Sequence, residues 1–213
     1  MRSKFSRTIL AILLASITIS PATASNPMGV ASAAPGGGTY LSASIPASIL
    51  NTPLFGSAGN RITLNQFKGK YIVLSDFLTS CQEVCPLTTA NMRQMAHAVA
   101  NAHLASTISV LEVSVDAARD SAKRLAAYQN LFNDTSWTLA SGTQSNLTSF
   151  WRYFGISFMQ SPYSKSDLKG LPLDWQTGKQ NTFDITHADA IIIISPDQKW
   201  SWLDLGTPNI GKN

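Results

Sequence analysis

Three features of the 213-residue sequence predict an α/β domain with a mixed central sheet. Apolar, β-branched runs at 71–78, 108–115 and 190–195 alternate with segments of helical spacing, as when strands are covered by helices. The last of these runs turns through Pro196-Asp197-Gln198-Lys199 into another at 200–205, which reads as a closing hairpin. No Gly-rich nucleotide loop follows any strand, which argues against the dinucleotide-binding version of the class. Strand–helix alternation that closes with a hairpin points to a thioredoxin-like arrangement, with helices flanking the sheet.

From the N-terminus, Arg2, Lys4 and Arg7 precede a mostly apolar stretch at 9–19, and Ala22-Thr23-Ala24 offers a small-residue cleavage site. That order is a secretory signal peptide over 1–24. A second site at Ala31-Ser32-Ala33 would move the cut to 33. The apolar stretch is well short of the ~20 residues that span a bilayer. No Cys adjoins either site, so no lipid anchor is expected, and an uncleaved membrane tether is the minor alternative. The protein is therefore expected to be exported and extracytoplasmic, in a periplasm or on the outer face of the membrane. Residues 25–44, rich in Ala, Ser, Gly and Pro, read as a flexible linker. One domain is expected over 45–213.

Within that domain the strand at 71–78 runs into a cysteine loop, and Pro86 after Cys85 marks a helix start with Cys85 as its N-cap. Met92, Met95, Ala96 and Val99 keep helical spacing to about residue 103. Methionines so spaced read as core packing rather than as metal ligands. Helices are expected at 121–132 and 143–154, with a short strand at 137–140 between them. The polar stretch 157–186 is too long for an ordinary loop, so an inserted hairpin or a cover over the site is expected there. Trp200 and Trp202 read as strand residues.

The net charge of +4 is concentrated in the leader, because Arg2, Lys4 and Arg7 have no acid near them. What remains is close to neutral, so nucleic-acid binding is not expected. The two cysteines, Cys81 and Cys85, are separated by three residues. A disulfide closing so small a loop stabilises little, so redox chemistry or metal binding explains the pair better than stapling does. At a helix N-terminus the dipole favours a thiolate, and thiolates suit Cu(I) and Zn.

Three histidines are candidates for a further ligand. His97 falls mid-helix and His103 near the helix end, where both read as surface or capping residues. His187 directly precedes the Ile-rich strand, where loops of an α/β sheet converge. Asp76 interrupts an apolar strand five residues before Cys81. It reads as a hydrogen-bonded acid, the alternative being a base beside the dithiol.

Four segments, in order, resemble the Sco/SenC family of copper-site assembly proteins. They are 76–86 with Cys81, Cys85 and Pro86; Ser114-Val115-Asp116 with Arg119-Asp120; 137–156 with Gly142-Thr143 and Tyr153-Phe154-Gly155; and His187 followed by the strand and Ser195-Pro196-Asp197. The similarity runs over about 47–205. It implies a thioredoxin fold in which Cys81, Cys85 and His187 hold a copper ion. It further implies delivery of copper to, or maturation of, the dinuclear centre of cytochrome c oxidase subunit II, together with a thiol–disulfide reductant as partner. Members commonly have Pro after the first Cys where this chain has Gln82. Members also end in a further helix, whereas this sequence stops at Asn213, soon after the last strand, so either that helix is absent or the sequence is a fragment.

The competing reading is an enzyme, a thiol–disulfide oxidoreductase whose Cys81/Cys85 pair reduces cysteines of a partner metalloprotein. Such enzymes typically use Cys-x-x-Cys and a Pro before the strand equivalent to 190–195. Residues 184–195 hold no Pro, and His187 stands there instead. A peroxidase reading fails because Thr79-Ser80-Cys81 lacks the upstream Pro and Thr pattern. Copper carriage is therefore the leading expectation, with catalysis secondary.

Overall fold

The computed structural model describes residues 31–33, 37–81 and 85–206, apart from 165, 167, 169 and 172. The expected signal peptide over 1–24, Gln82 in the cysteine loop and residues 207–213, on which the expectation about a final helix bears, lie outside the described residues. Among the described residues no helix is long and apolar enough to cross a membrane.

In chain order the elements are β1 (Ala31–Ala33), β2 (Thr39–Leu41), α1 (Ala47–Leu50), β3 (Leu54–Gly56), β4 (Arg61–Ile62), a 3₁₀ turn (Leu64–Phe67), β5 (Tyr71–Phe77) and α2 (Cys85–Asn101). There follow β6 (Ile108–Ser114), α3 (Ala122–Phe132), β7 (Thr138–Ser141), α4 (Gln144–Tyr153), β8 (Phe158–Pro162), β9 (Phe183–His187), β10 (Ala190–Ile194) and β11 (Ser201–Leu205). Nine strands form one mixed sheet in the order β1-β2-β11-β10-β5-β6-β7-β3-β4. Its centre, β5-β6-β7, is parallel, and β10 runs antiparallel to β5 with Ile192 opposite Leu74. The expected mixed sheet flanked by helices is therefore present.

Strand alternation divides the core between the two faces. Leu74, Leu111, Val113 and Ile192 pack with Leu147, Phe150 and Trp151 of α4. Phe77, Val110 and Leu139 pack on the other face with Met92, Ala96 and Val99 of α2 and with Leu125 and Tyr128 of α3. Met92 and Met95 thus serve the core as the sequence suggests. Both α3 and α4 begin on side-chain caps: Ser121 accepts from the Arg124 N–H, and Thr143 from the Asn146 N–H. Each such cap stabilises a helix by about 1 kcal/mol.

Part of the stretch expected as a flexible linker belongs to the sheet. Within 25–44, β1 pairs with β2, and β2 pairs with β11. Leu41 is buried, and the Trp202 indole donates to the Gly37 carbonyl at 3.1 Å. Gly38 has φ +74, and a Cβ there would lie 2.6 Å from the Trp202 ring, so glycine serves close packing as well as turn freedom. Small residues here fit against an indole, which composition alone reads as slack.

The insertion is a hairpin, as expected. β8 and β9 form a separate two-stranded sheet with Phe158 opposite His187. The chain between them folds back onto the cysteine-loop side. There the Trp175 indole donates to the Thr79 carbonyl at 2.7 Å, and the buried Arg124 forks onto Asp174 at 3.1 and 2.5 Å. The hydrogen bonds from Arg124, with further donors from Thr177, hold the Asp174 carboxyl well below the usual range against its burial.

Candidate metal centre

Three elements converge at one end of the sheet. The end of β5 carries Asp76 and leads into Cys81, α2 opens at Cys85, and β9 ends at His187. The loop entry is held from below. The Thr79 hydroxyl donates to Asp120 at 2.5 Å and accepts from Arg124, and the Thr79 N–H donates to the same carboxylate at 3.2 Å. Asp120 also accepts from Ser114 at 2.6 Å. Burial and the nearby Asp116 nonetheless push its pKa up to about 6.

No disulfide joins Cys81 and Cys85. The Cys85 N–H donates to the Cys81 sulfur at 3.4 Å, so the first turn of α2 points a backbone donor at that sulfur. Cys85 is buried and Cys81 partly exposed. Hydrogen bonding to Cys81, burial and the charge of the neighbouring sulfur push the Cys85 thiol well above its ordinary value. The lowered pKa expected from the helix dipole is thus overridden at Cys85, and its proton leaves when a cation replaces it.

His187 lies 102 positions from Cys85 in the chain, yet its Nε2 stands 4.0 Å from the Cys85 sulfur. Its other ring nitrogen, Nδ1, is 2.5 Å from Asp76 Oδ2, while Asp76 Oδ1 accepts the Ala190 N–H at 2.8 Å. A carboxylate at Nδ1 fixes the proton there and turns the Nε2 lone pair toward the sulfur. Burial works to lower the His187 pKa, but the hydrogen bond to Asp76 and the charges of Asp76 and Asp189 outweigh it and hold the pKa above normal. Asp189 Oδ1 is 3.8 Å from Nδ1, so Asp76, His187 and Asp189 gather three potential donors in one place.

Metal bonds of about 2.0 Å to nitrogen and 2.3 Å to sulfur span two donors that lie 4.0 Å apart. Two sulfurs and an imidazole are a soft set that suits copper or zinc and poorly suits magnesium or calcium. His97 and His103 are elsewhere. His97 is exposed and bonds Asp134 at 2.8 Å, and His103 sits just past α2 with φ 57. Asp76 is hydrogen-bonded, as the sequence reading favoured, but that reading did not connect it to His187. The Arg124–Asp174 latch carries no local sequence signal, its partners being 50 positions apart.

A cleft of about 320 Å³ opens beside the centre. Cys81, Ser80 and Arg119 line one bank, and the whole of β9 lines the other. Arg119 bonds Asp116, donates to the Phe183 carbonyl at 3.1 Å and covers the Phe183 ring at 4.0 Å, which ties the banks together.

Comparison with known proteins gives the chain its family. The chain is similar in structure to copper-bound ScoI of Arabidopsis thaliana, at 19% identity over 74% of this chain and 86% of that one, with a TM-score of 0.53. Copper-bound ScoI of Bradyrhizobium japonicum matches at 17% identity over 72% and 85%, with a TM-score of 0.54. A SCO1/SenC family lipoprotein of Bacillus anthracis str. Ames matches at 21% identity over 73% and 81%, with a TM-score of 0.55. No curated protein matches the chain. The SCO1/SenC family model covers residues 53–201, close to the extent read from the four segments, and the chain belongs to that family.

Proposed function

We propose that this protein is an exported copper metallochaperone that holds copper through Cys81, Cys85 and His187 and passes it to the dinuclear copper centre of cytochrome c oxidase subunit II. One observation carries the reading: an imidazole from a distant hairpin stands 4.0 Å from the Cys85 sulfur with its other nitrogen anchored on Asp76. The copper-bound relatives in Arabidopsis thaliana and Bradyrhizobium japonicum support copper as the cargo. Two thiolates and one imidazole hold Cu(I) while leaving room for an incoming sulfur. Cys85 loses its proton on loading, Asp76 keeps His187 oriented, and the partly exposed Cys81 faces the receiver.

Metal-free, reduced protein should take up about one copper per chain in a titration followed by sulfur-edge absorption. His187→Ala should weaken binding tenfold or more, the least expected when an orienting contact alone is worth that much. Unchanged affinity in that variant would remove the ligand assignment.

A second reading is favoured by the exposure of Cys81 on the cleft. As a reductase, the Cys81 thiolate attacks a partner disulfide and forms a mixed disulfide, releasing one partner thiolate. Cys85 then gives up its proton and displaces the second thiolate. Two electrons pass to the partner and a Cys81–Cys85 disulfide remains. Rapid turnover of insulin disulfides by the copper-free protein would put this activity first.

A further inference from the structure

We infer that the outer edge of β9 is a docking strand for an extended, basic, cysteine-bearing segment of the protein that receives the copper. The inference deepens the copper-transfer reading and rests on it for the partner's sulfur.

Among the described residues β9 pairs with β8 alone. The Tyr163 N–H donates to the Thr182 carbonyl, which sets the phase of the ladder. Backbone groups of Asp184 and Thr186 therefore face β8, and those of Phe183, Ile185 and His187 face away from it. All five residues of β9 line the cleft, odd and even alike. A strand does this when its edge, rather than one of its faces, borders the space. Two of the outward groups have local partners: the Phe183 carbonyl takes Arg119, and the Ile185 N–H takes the Asp184 carboxylate at 2.8 Å. A carboxylate bonded to the next N–H in its own chain stands in for a strand and can yield to one without unfolding anything.

The edge leads to the right place. It ends at His187, and Cys81 lines the same cleft, where an incoming sulfur has to arrive. Its charge also selects. Asp184 is exposed and Asp189 stands on the rim, while Arg119 is already matched by Asp116, so among the described lining residues two acids are left to attract a cationic partner.

Register makes the partner specific. Ile185 is buried and His187 faces the sulfur, so the odd row points inward, while Asp184 and Thr186 point out. In an antiparallel guest, the residue opposite His187 points at the metal centre. The residue three positions later lies opposite Asp184, on the outer face, where a cation makes a favourable cross-strand pair. The matching guest reads Cys-x-x-Lys or Cys-x-x-Arg.

The test uses a capped peptide, Val-Cys-Thr-Val-Lys-Val, titrated into the reduced, metal-free full chain while the amide resonances of 183–187 are followed. N-methylation of the central valine, opposite Ile185, should weaken binding tenfold or more. N-methylation of the threonine, whose N–H faces outward, should change it less than about threefold. Replacing the peptide lysine with Glu should weaken binding, and Asp184→Lys should restore it. Equal effects of the two methylations, or no response at 183–187, would overturn the docking strand. A copper titration of the same sample reads the metal centre separately. Copper uptake without peptide binding removes the docking strand alone, and peptide binding without copper uptake removes the metal reading alone.

Discussion

Two acids interrupt neighbouring apolar strands, Asp76 in β5 and Glu112 in β6, and both are almost completely buried. In the parallel register Asp76 lies opposite Val113, and Glu112 opposite Ser75, so the two carboxyls project to opposite faces of the sheet. Among the described residues Glu112 meets only neutral donors, the Thr89 hydroxyl at 3.0 Å and the Trp137 indole at 2.7 Å, beneath α2 and α3. Burial pushes its pKa up to about 8, so it holds its proton at neutral pH. Asp76 meets an ionisable ring brought in by the β8–β9 hairpin, at the mouth of a cleft. The same mark in the sequence yields a neutral core acid in one strand and the anchor of the His187 ring at the candidate metal centre in the next. The difference lies in what the distant chain delivers to each.

The largest effect that would break this contrast is the pH dependence of Glu112. Its folded pKa stands near 8 against 4.5 for the free group, so the folded chain holds a proton that the unfolded chain has released. Its contribution is therefore complete below pH 4.5 and is lost as pH rises through the window to 8. At about 1.4 kcal/mol per unit, the loss is at most about 5 kcal/mol. Urea unfolding of reduced, metal-free protein at pH 5 and pH 8 should show this decline, and Glu112→Gln should flatten it. An unchanged slope in the variant would mean that Glu112 is ionised in the fold.

Next is Asp174→Ala, which leaves Arg124 buried without its fork and should cost about 3–5 kcal/mol. Because the latch holds the hairpin that carries His187, copper affinity should also fall. Asp76→Asn comes third. It should lower copper affinity by about 10–100-fold, read by competition with a Cu(I) chelator, because the amide no longer dictates which ring nitrogen carries the proton. Smallest is Tyr128→Phe, which removes a 3.4 Å contact to Thr89 and should cost under about 1 kcal/mol in the same urea assay.

The central strands were legible because burial on both faces leaves nearly continuous apolar runs, as at Leu74, Leu111 and Ile192. α4 was legible because Leu147, Phe150 and Trp151 repeat at helical spacing. β1 and β2 were not, since three residues are too few to show an alternating pattern, and the anchors of β2, buried Leu41 and Tyr40 stacked on Trp200 at 5.1 Å, stand in a run of Ala, Ser and Gly. Within the candidate centre, Cys81 and Cys85 announce themselves by spacing, and Asp76 by standing in an apolar run. Glu112 carries the same signal and was passed over. The link from Asp76 to His187 joins residues 111 positions apart and exists only once the hairpin folds back.

One carboxylate grips the turn after β9 at both ends, taking the ring of His187 through one oxygen and the backbone of residue 190 through the other. Swinging the imidazole aside therefore means breaking its bond to a carboxylate that the Ala190 N–H itself holds in place. In the proposed hand-over the nitrogen donor would behave as a fixed pivot, and the mobile partner would be the partly exposed Cys81 sulfur. The speed of transfer should accordingly track the leaving tendency of Cys81 and be indifferent to ring motion.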